Sequence, residues 1–387
     1  MPISLRPPSR RSAVAPFLAM DVLSAANALE AAGRRILHME VGEPGAPTPR
    51  AIREAAIASL QGGRIAYTEA LGWRPLRERI ARHYGERHGI EVDPARVAVT
   101  TGSSGGFNLT FLAAFDAGDR VAIAAPGYPA YANILRALDL EVVELRTRAE
   151  DRHAITPELV EAAHSEKPLA GLIVASPANP TGTMMTPNAL ATLIAATEEL
   201  GIRFISDEIY HGLVYDGVAA TALATSQEAF VINSFSKYYC MTGWRIGWMV
   251  VPETMVRAVE RLGQNLYISA PDLSQKAALA AFETTDELER IKDGYAANRR
   301  LLLDRLPAIG FDEFFPVDGA FYVYASVRRF TNDSGEFARR MLNEAGVAAT
   351  PGMDFDPTGG DAYIRFSFAG STKDIDEASR RLADWLR

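Results

Sequence analysis

The chain has 387 residues, 48% of them hydrophobic, enough to bury a large core in two closely built domains or one elaborated α/β unit. A net charge of −8 leaves no basic face for nucleic acid or an anionic membrane, so the expected partners are small molecules. The single cysteine, Cys240, excludes an intrachain disulfide and fits a reducing compartment.

Near the start, Arg10 and Arg11 precede the apolar stretch AVAPFLAM, a pattern that could pass for a twin-arginine export signal. Asp21 breaks that run early. Leu18, Val22, Ala25 and Leu29 then recur at helical spacing until GEPGAPTP turns the chain, which predicts an amphipathic first helix. No apolar run approaches the ~20 residues needed to span a bilayer, and the expected location is the cytoplasm. From about residue 95 to 250, β-branched runs alternate with helix-period segments. RVAVTT, RVAIAAP, EVVELRT, AGLIVASP, RFISDE, AFVINSFS and WRIGWMVV predict strands; SGGFNLTFLAAF, PAYANILRAL, TPELVEAAH and TPNALATLIAATEEL predict helices. This alternation predicts an α/β fold whose large domain is a mostly parallel sheet covered by helices on both faces. Beyond residue 250, helical segments over roughly 252–264, 271–283 and 286–306 lead to strands around GAFYVYASV and AYIRFSFA. These read as a smaller α+β domain completed by the first helix. The expected division is 41–285 for the large domain, and 1–40 with 286–387 for the small one.

In open α/β sheets, ligands collect beyond the carboxyl ends of the strands. Four polar strand ends are candidates: TGSSGG, Asn179 in SPANPTG, Asp207 in ISDEIY and Lys237 in NSFSK. In TTGSSGGFN, Gly102, Ser104 and Gly106 match the G-x-S-x-G elbow of a serine hydrolase, yet the same backbone could cradle a phosphate at a helix N-terminus. Lys237 is one of only five lysines and alone closes an apolar strand. An isolated strand-end lysine usually snorkels to water, but one held neutral in a partly buried site is a Schiff-base nucleophile. Asp207 follows the run FIS, where an ionised carboxylate is costly unless a cation or donor meets it. A magnesium role would require a G-x-x-x-x-G-K-[ST] loop, which the sequence lacks. The six histidines show no metal-ligand spacing, no metal is expected, and most of them are expected on the surface.

The motifs SFSKYYCMTGWRIG, SPANPTGT, SDEIYHGLVY, YTEALGWRPLRERIA and YIRFSFAGS, in their order and spacing, resemble the pyridoxal-phosphate enzymes of fold type I, the class I/II aminotransferases. The likeness runs from about Pro16 to the C-terminus. It implies that Lys237 holds pyridoxal 5′-phosphate as a Schiff base and later shuttles the substrate proton, and that Asp207 keeps the pyridine nitrogen protonated. Tyr210 and Asn179 would donate to the ring phenolate, and Tyr128 in GYPAY would stack on the ring. The two readings of TTGSSGGFN then resolve toward phosphate: Ser103, Ser104, Ser234, Ser236 and Arg245 would form its cup, with Arg245 expected to be screened from full solvation by Trp244 and Ile246. Tyr67 would reach the phosphate of a neighbouring subunit, making the protein a homodimer. Arg365 would receive the α-carboxylate of an amino acid or 2-oxo acid in its planar fork, with Gly42 allowing close backbone approach. Cys240 stands where the family usually has a smaller residue and is expected to pack as a small hydrophobe. No second arginine for a dicarboxylate side chain can be placed.

The reaction implied is transfer of an amino group to a 2-oxo acid in two half-reactions. An alternative on the same fold is a β-elimination lyase, since it shares nearly every cofactor contact. A more remote one is a serine hydrolase using Ser104 with Asp207 and His211, which leaves Lys237, Arg245 and Arg365 unexplained.

Overall fold

The computed structural model describes residues 6–387. In chain order its elements are α1 (Leu18–Ala31), β1 (Leu37–His38), α2 (Arg50–Gln61), α3 (Arg74–His88), β2 (Val97–Thr100), α4 (Gly102–Ala114), β3 (Arg120–Ala125), α5 (Pro129–Ala137), β4 (Glu141–Arg146), α6 (Pro157–Glu166), β5 (Gly171–Ala175) and α7 (Pro187–Glu199). There follow β6 (Arg203–Asp207), β7 (Phe230–Ser234), β8 (Gly247–Val250), α8 (Val256–Leu266), α9 (Asp272–Ala281), α10 (Thr285–Ile309), β9 (Tyr322–Ser326), α11 (Ser334–Arg340), β10 (Val347–Ala348), β11 (Thr350–Pro351), β12 (Tyr363–Ser367) and α12 (Thr372–Trp385).

The seven predicted strands between residues 95 and 250 all enter one sheet, in the order β2-β8-β7-β6-β5-β3-β4. Only β8 runs against its neighbours; the rest are parallel to one another. Strand alternation feeds two cores, as a sheet covered on both faces requires. Val97, Val99, Leu172, Val174, Phe204, Val231 and Trp248 point to one face, under α2, α3, α7 and α9. Ala98, Ile173, Ile205, Ile232 and Met249 point to the other, under α4, α5 and α8. Strand order reverses between β3 and β5, and such a switch point opens a crevice at the carboxyl ends.

A separate core gathers β9 and β12, their helices α10, α11 and α12, and Leu37 and Met39 from the β1 segment. Tyr210 and Leu213, from the loop after β6, also enter this core and tie it to the crevice. β11, β12 and β9 form an antiparallel sheet, and β1 pairs with β10 in parallel. α1 docks here because Asp354 accepts from the backbone N–H groups of Leu18 and Ala19, capping donors that would otherwise be orphaned. Among the described residues no helix is long and apolar enough to cross a membrane.

Candidate active site

Asp207 is the last residue of β6 and lies 3% exposed at the carboxyl edge of the sheet. Burial raises its carboxyl to about 6, although the Tyr131 hydroxyl and the Ile209 N–H (3.0 Å) both donate to it. Lys237 follows β7 by three residues, and its Nζ donates to the Gly42 carbonyl at 2.5 Å. Burial, together with the nearby Arg365 guanidinium, lowers its amine to about 8. A buried acid without an ion-pair contact and an amine close to neutrality, each felt electrostatically by the other, therefore share one crevice.

Arg365 sits in the middle of β12 at 3% exposure. Its Nη1 donates to Asn179 Oδ1 at 2.9 Å, and its Nη2 donates to the Glu40 carbonyl and to Thr350 Oγ1 at 3.2 Å. The guanidinium carbon lies 4.4 Å from the Tyr322 ring centre and 4.7 Å from that of Phe355. No carboxylate among the described residues pairs with it, and its buried Nε has no partner. Such a fork is a ready receptor for a carboxylate. Tyr210 Oη and Tyr322 Oη lie 2.8 Å apart, and a side chain at Gly42 would fall on the Tyr322 hydroxyl. Burial raises the Tyr210 phenol well above its usual range. The Tyr128 ring meets Tyr131 edge-on at 5.3 Å, and burial pushes its hydroxyl up to about 12.

At the other end of the crevice, β2 passes straight into α4 through Gly102, whose φ of +74° favours glycine. Glycine is needed there twice over, since a Cβ would lie 2.6 Å from Arg245 Nη2. Gly247, paired with Ser234 across β7 and β8, leaves no room for a side chain: a Cβ there would lie 2.8 Å from the Asn233 carbonyl oxygen and 3.0 Å from the Ser103 nitrogen. Ser234 Oγ donates to Ser236 Oγ at 2.9 Å and receives the Ser236 N–H. Thus Ser103, Ser234, Ser236 and Arg245 surround a helix N-terminus, a natural anion seat.

Most of the expected residues therefore meet in one place, joined by an unbroken series of contacts from Arg365 through Tyr322, Gly42 and Lys237. Tyr67 does not join them within this chain: it projects outward at 78% exposure. Arg245 is solvent-exposed, contrary to the screening expected of Trp244 and Ile246, because its backbone turns through φ +51° and throws the side chain outward over Gly102. Ser104 is exposed as well and lies inside the first turn of α4, without the strained positive φ of a nucleophile elbow. The hydrolase grouping finds no support in the histidine either: His211 engages the Ser176 carbonyl at 3.2 Å, Glu208 at 3.4 Å and the His88 ring at 5.7 Å, not Ser104 or Asp207. The histidines also correct a second expectation. His83, His88 and His211 line a partly closed cavity of about 220 Å³ instead of lying on the surface, and burial lowers them to about 4, 4 and 3. Cys240 is buried, with burial raising its thiol to about 12. Among the described residues no cluster of metal-ligating side chains is present.

Sequence reasoning missed Tyr131, Tyr322 and Glu40. Tyr131 follows Tyr128 by three residues on α5, so a helix-face argument could have found it. Tyr322 and Glu40 carry no comparable local signal.

The residues suit pyridoxal phosphate on the structure's own terms. Asp207 is a buried acid that a protonated ring nitrogen would pair with, Lys237 is an amine near neutrality, Tyr128 would offer a ring face, and the glycine-lined α4 terminus with Arg245 would offer an anion seat.

Comparison with known proteins follows the same lines. The family model of aminotransferase class I and II matches residues 34–382. A valine–pyruvate aminotransferase of Mycobacterium tuberculosis is 50% identical over 380 residues, 97% of either chain. An aspartate aminotransferase of Thermotoga maritima is 32% identical across 95% of this chain and 96% of its own. The crystal structure of an aminotransferase from Mycobacterium tuberculosis superposes with a TM-score of 0.96 at 49% identity, covering 99% of both chains.

Proposed function

We infer, from a chain that belongs to the class I and II aminotransferases, how its residues divide the labour of moving an amino group from an amino acid to a 2-oxo acid. The cofactor we propose is pyridoxal 5′-phosphate. When bound, it supplies an aldehyde carbon for the amine and a conjugated ring that accepts the electron pair left as the substrate C–H bond breaks.

Lys237 anchors the cofactor through its amine and, once released, carries the proton from and to the substrate α-carbon. An amine near 8 suits both tasks, since a useful share is neutral at physiological pH. Asp207 holds the proton on the ring nitrogen, with Tyr131 and the Ile209 N–H keeping its carboxylate aimed. Tyr210 and Asn179 donate to the ring oxygen, while Tyr128 covers one ring face. Ser103, Ser104, Ser234, Ser236 and Arg245 receive the phosphate at the head of α4. Exposed Tyr67 completes the phosphate seat of a second copy, so the working form is a homodimer. Arg365 takes the substrate carboxylate, and Gly42 leaves room beside it. The location we propose is the cytoplasm.

The donor proposed is a monocarboxylic amino acid with an apolar side chain, and the acceptor is pyruvate. Two points support this: the 50% identical relative is a valine–pyruvate enzyme, and Glu43 contributes negative charge beside Lys237, unfavourable to a second carboxylate. The observation that carries the whole reading is the buried Arg365 fork without an acidic partner, within one crevice with Lys237 and Asp207. The test is turnover of valine with pyruvate against aspartate with 2-oxoglutarate, by protein loaded with pyridoxal phosphate. Loss of turnover when the oxo acid is omitted supports transfer; ammonia release without any oxo acid would establish the elimination reaction instead. Absence of a near-visible absorption band after incubation with pyridoxal phosphate would sink the cofactor assignment.

A further inference from the structure

The stretch from His38 to Gly42 contacts both halves of the crevice. The Gly42 carbonyl receives Lys237, and the Glu40 carbonyl receives Arg365 Nη2 together with the Thr350 hydroxyl at 2.8 Å. The side chain of Glu40 is a separate matter. It is 0% exposed, its Oε1 is bonded by His38 Nδ1 at 2.7 Å, and its Oε2 is buried without any partner. His38 is in turn held by Glu30 of α1, whose Oε1 lies 3.3 Å from Nε2. A carboxylate buried this deeply needs a cation, and two stand near residue 40: His38, which its side chain engages, and Arg365, which its backbone already touches.

We propose that His38 is a positioning residue that holds the buried Glu40 carboxylate away from Arg365, keeping the guanidinium fork free for the carboxylate of the substrate. Without a protonated His38, Glu40 turns to the remaining cation and competes with substrate for it. The inference rests on Arg365 being the substrate-carboxylate site. His38 suits the role because the hydrogen bond to Glu40, opposed by burial and reinforced by Glu30, raises its imidazole to about 9. It therefore stays charged through the neutral range. Other charged groups around this stretch include Arg365 on β12, Lys237 after β7 with Glu43 beside it, the Arg35–Asp374 pair, and the Arg381–Glu377 pair on α12, whose Arg381 bonds the Arg35 carbonyl. None of these replaces His38 at Glu40.

The test is a double-mutant cycle read by equilibrium binding of 3-methylbutanoate, a carboxylate without an amino group, to the pyridoxal-phosphate-loaded protein. His38→Ala should weaken binding about ten-fold at pH 7.5, the scale of one lost charge-assisted contact. Glu40→Gln keeps the backbone carbonyl and the volume but cannot compete for the fork, so its Kd should stay within about three-fold of the unaltered chain. In the Glu40→Gln background, His38→Ala should then have no further effect. In steady-state assays the His38→Ala loss should fall on KM and leave kcat near its original value. A His38→Ala protein that binds 3-methylbutanoate normally, or one whose loss is the same with and without Glu40→Gln, overturns the proposal. If His38→Ala fails to fold, pH decides in its place. The unaltered chain should lose affinity above about pH 9 by a step absent from Glu40→Gln, and parallel profiles refute the idea. Arg365→Ala serves as the separate check on the premise: undiminished binding there would reject Arg365 as the carboxylate site, whatever His38 does.

Discussion

Replacing Arg365 by methionine separates a receptor from a structural ion. In the ligand-free chain the guanidinium is 3% exposed and meets only neutral acceptors: Asn179 Oδ1, the Glu40 carbonyl and Thr350 Oγ1, with the Tyr322 and Phe355 rings beside it. Hydrogen bonds from a charged donor contribute about 1.5–3 kcal/mol each and a buried cation–π contact about 2 kcal/mol. Against them stands a desolvation penalty of several kcal/mol, left uncancelled because no carboxylate is paired and Nε is idle. Methionine removes the penalty with the bonds. Thr350 still donates to the Glu40 carbonyl and so keeps a bond of its own, whereas Asn179 Oδ1 loses the donor it has from Arg365, at about 1–3 kcal/mol. The net change in stability should thus be small, within about 2 kcal/mol, or a few degrees at most in the thermal midpoint. Substrate affinity should collapse by comparison: losing a buried bidentate partner costs about 3–4 kcal/mol, a rise in KM of about 10²- to 10³-fold. Thermal melts, cofactor titration and steady-state kinetics on one preparation provide the three readouts. If the variant melts far lower, and cofactor and substrate affinity fall in step, Arg365 is a structural ion and the receptor reading is wrong.

Asp207→Asn should lower kcat by about 10²- to 10³-fold, the equivalent of breaking a buried ion pair, and a near-normal rate would remove Asp207 from the chemistry. Gly42→Ala should be damaging through contact with Tyr322, an overpacking cost of about 1–3 kcal/mol, and Tyr322→Phe should partly restore it by deleting the hydroxyl the new methyl meets. A double variant worse than Gly42→Ala alone contradicts that geometry. Because burial lowers the Lys237 amine to about 8, capture of pyridoxal phosphate by cofactor-free protein should accelerate with pH and level off above 8; an inflection near 10.5 would mean an unperturbed lysine. His38 has a folded value near 9 against an ordinary 6.5, so its contribution to stability is complete below pH 6.5 and disappears as pH rises through 9. The thermal midpoint of the unaltered chain should fall across that window, and Glu40→Gln, lacking the pair, should show a smaller fall.

Which of these residues a reader of the sequence could find follows from how far their partners lie along the chain. The strand ends were legible because the β/α alternation between residues 95 and 250 fixes where carboxyl edges fall, and Asn179, Asp207 and Lys237 are polar at those points. The seven strands were legible for the same reason, each being a β-branched run long enough to register. β1 and β10 were not, since two residues carry no periodicity, and they pair only because residues 37–38 and 347–348 come together across the fold. Tyr322 looks like any aromatic in GAFYVYASV until Gly42 packs upon it. The histidines misled for a related reason: His83 and His88 on α3 look solvated in sequence, and only the approach of β6's loop and Phe282 buries them. Arg245 misled in the opposite sense, because apolar neighbours at positions 244 and 246 say nothing of a side chain that a left-handed φ directs outward.

The division of charges in the crevice explains why its parts come from two cores. Lys237 and Asp207 stand on the large sheet, whereas Arg365 stands on the small one with Glu40, Gly42 and Tyr322 beside it. Arg245, beside β8 on the same large sheet as Lys237, depresses its amine whether or not substrate is present. With Arg365 on a separate sheet, its influence can depend on what fills the gap: in this structure it helps hold the amine near 8, and under the proposed roles a carboxylate on the fork would offset that effect and raise the basicity of Lys237 for taking the α-proton. Under those roles, substrate binding and proton abstraction would be coupled through electrostatics. The coupling can be seen in cofactor-free protein, where 3-methylbutanoate should shift the Lys237 titration upward and should leave it unmoved in Arg365→Met.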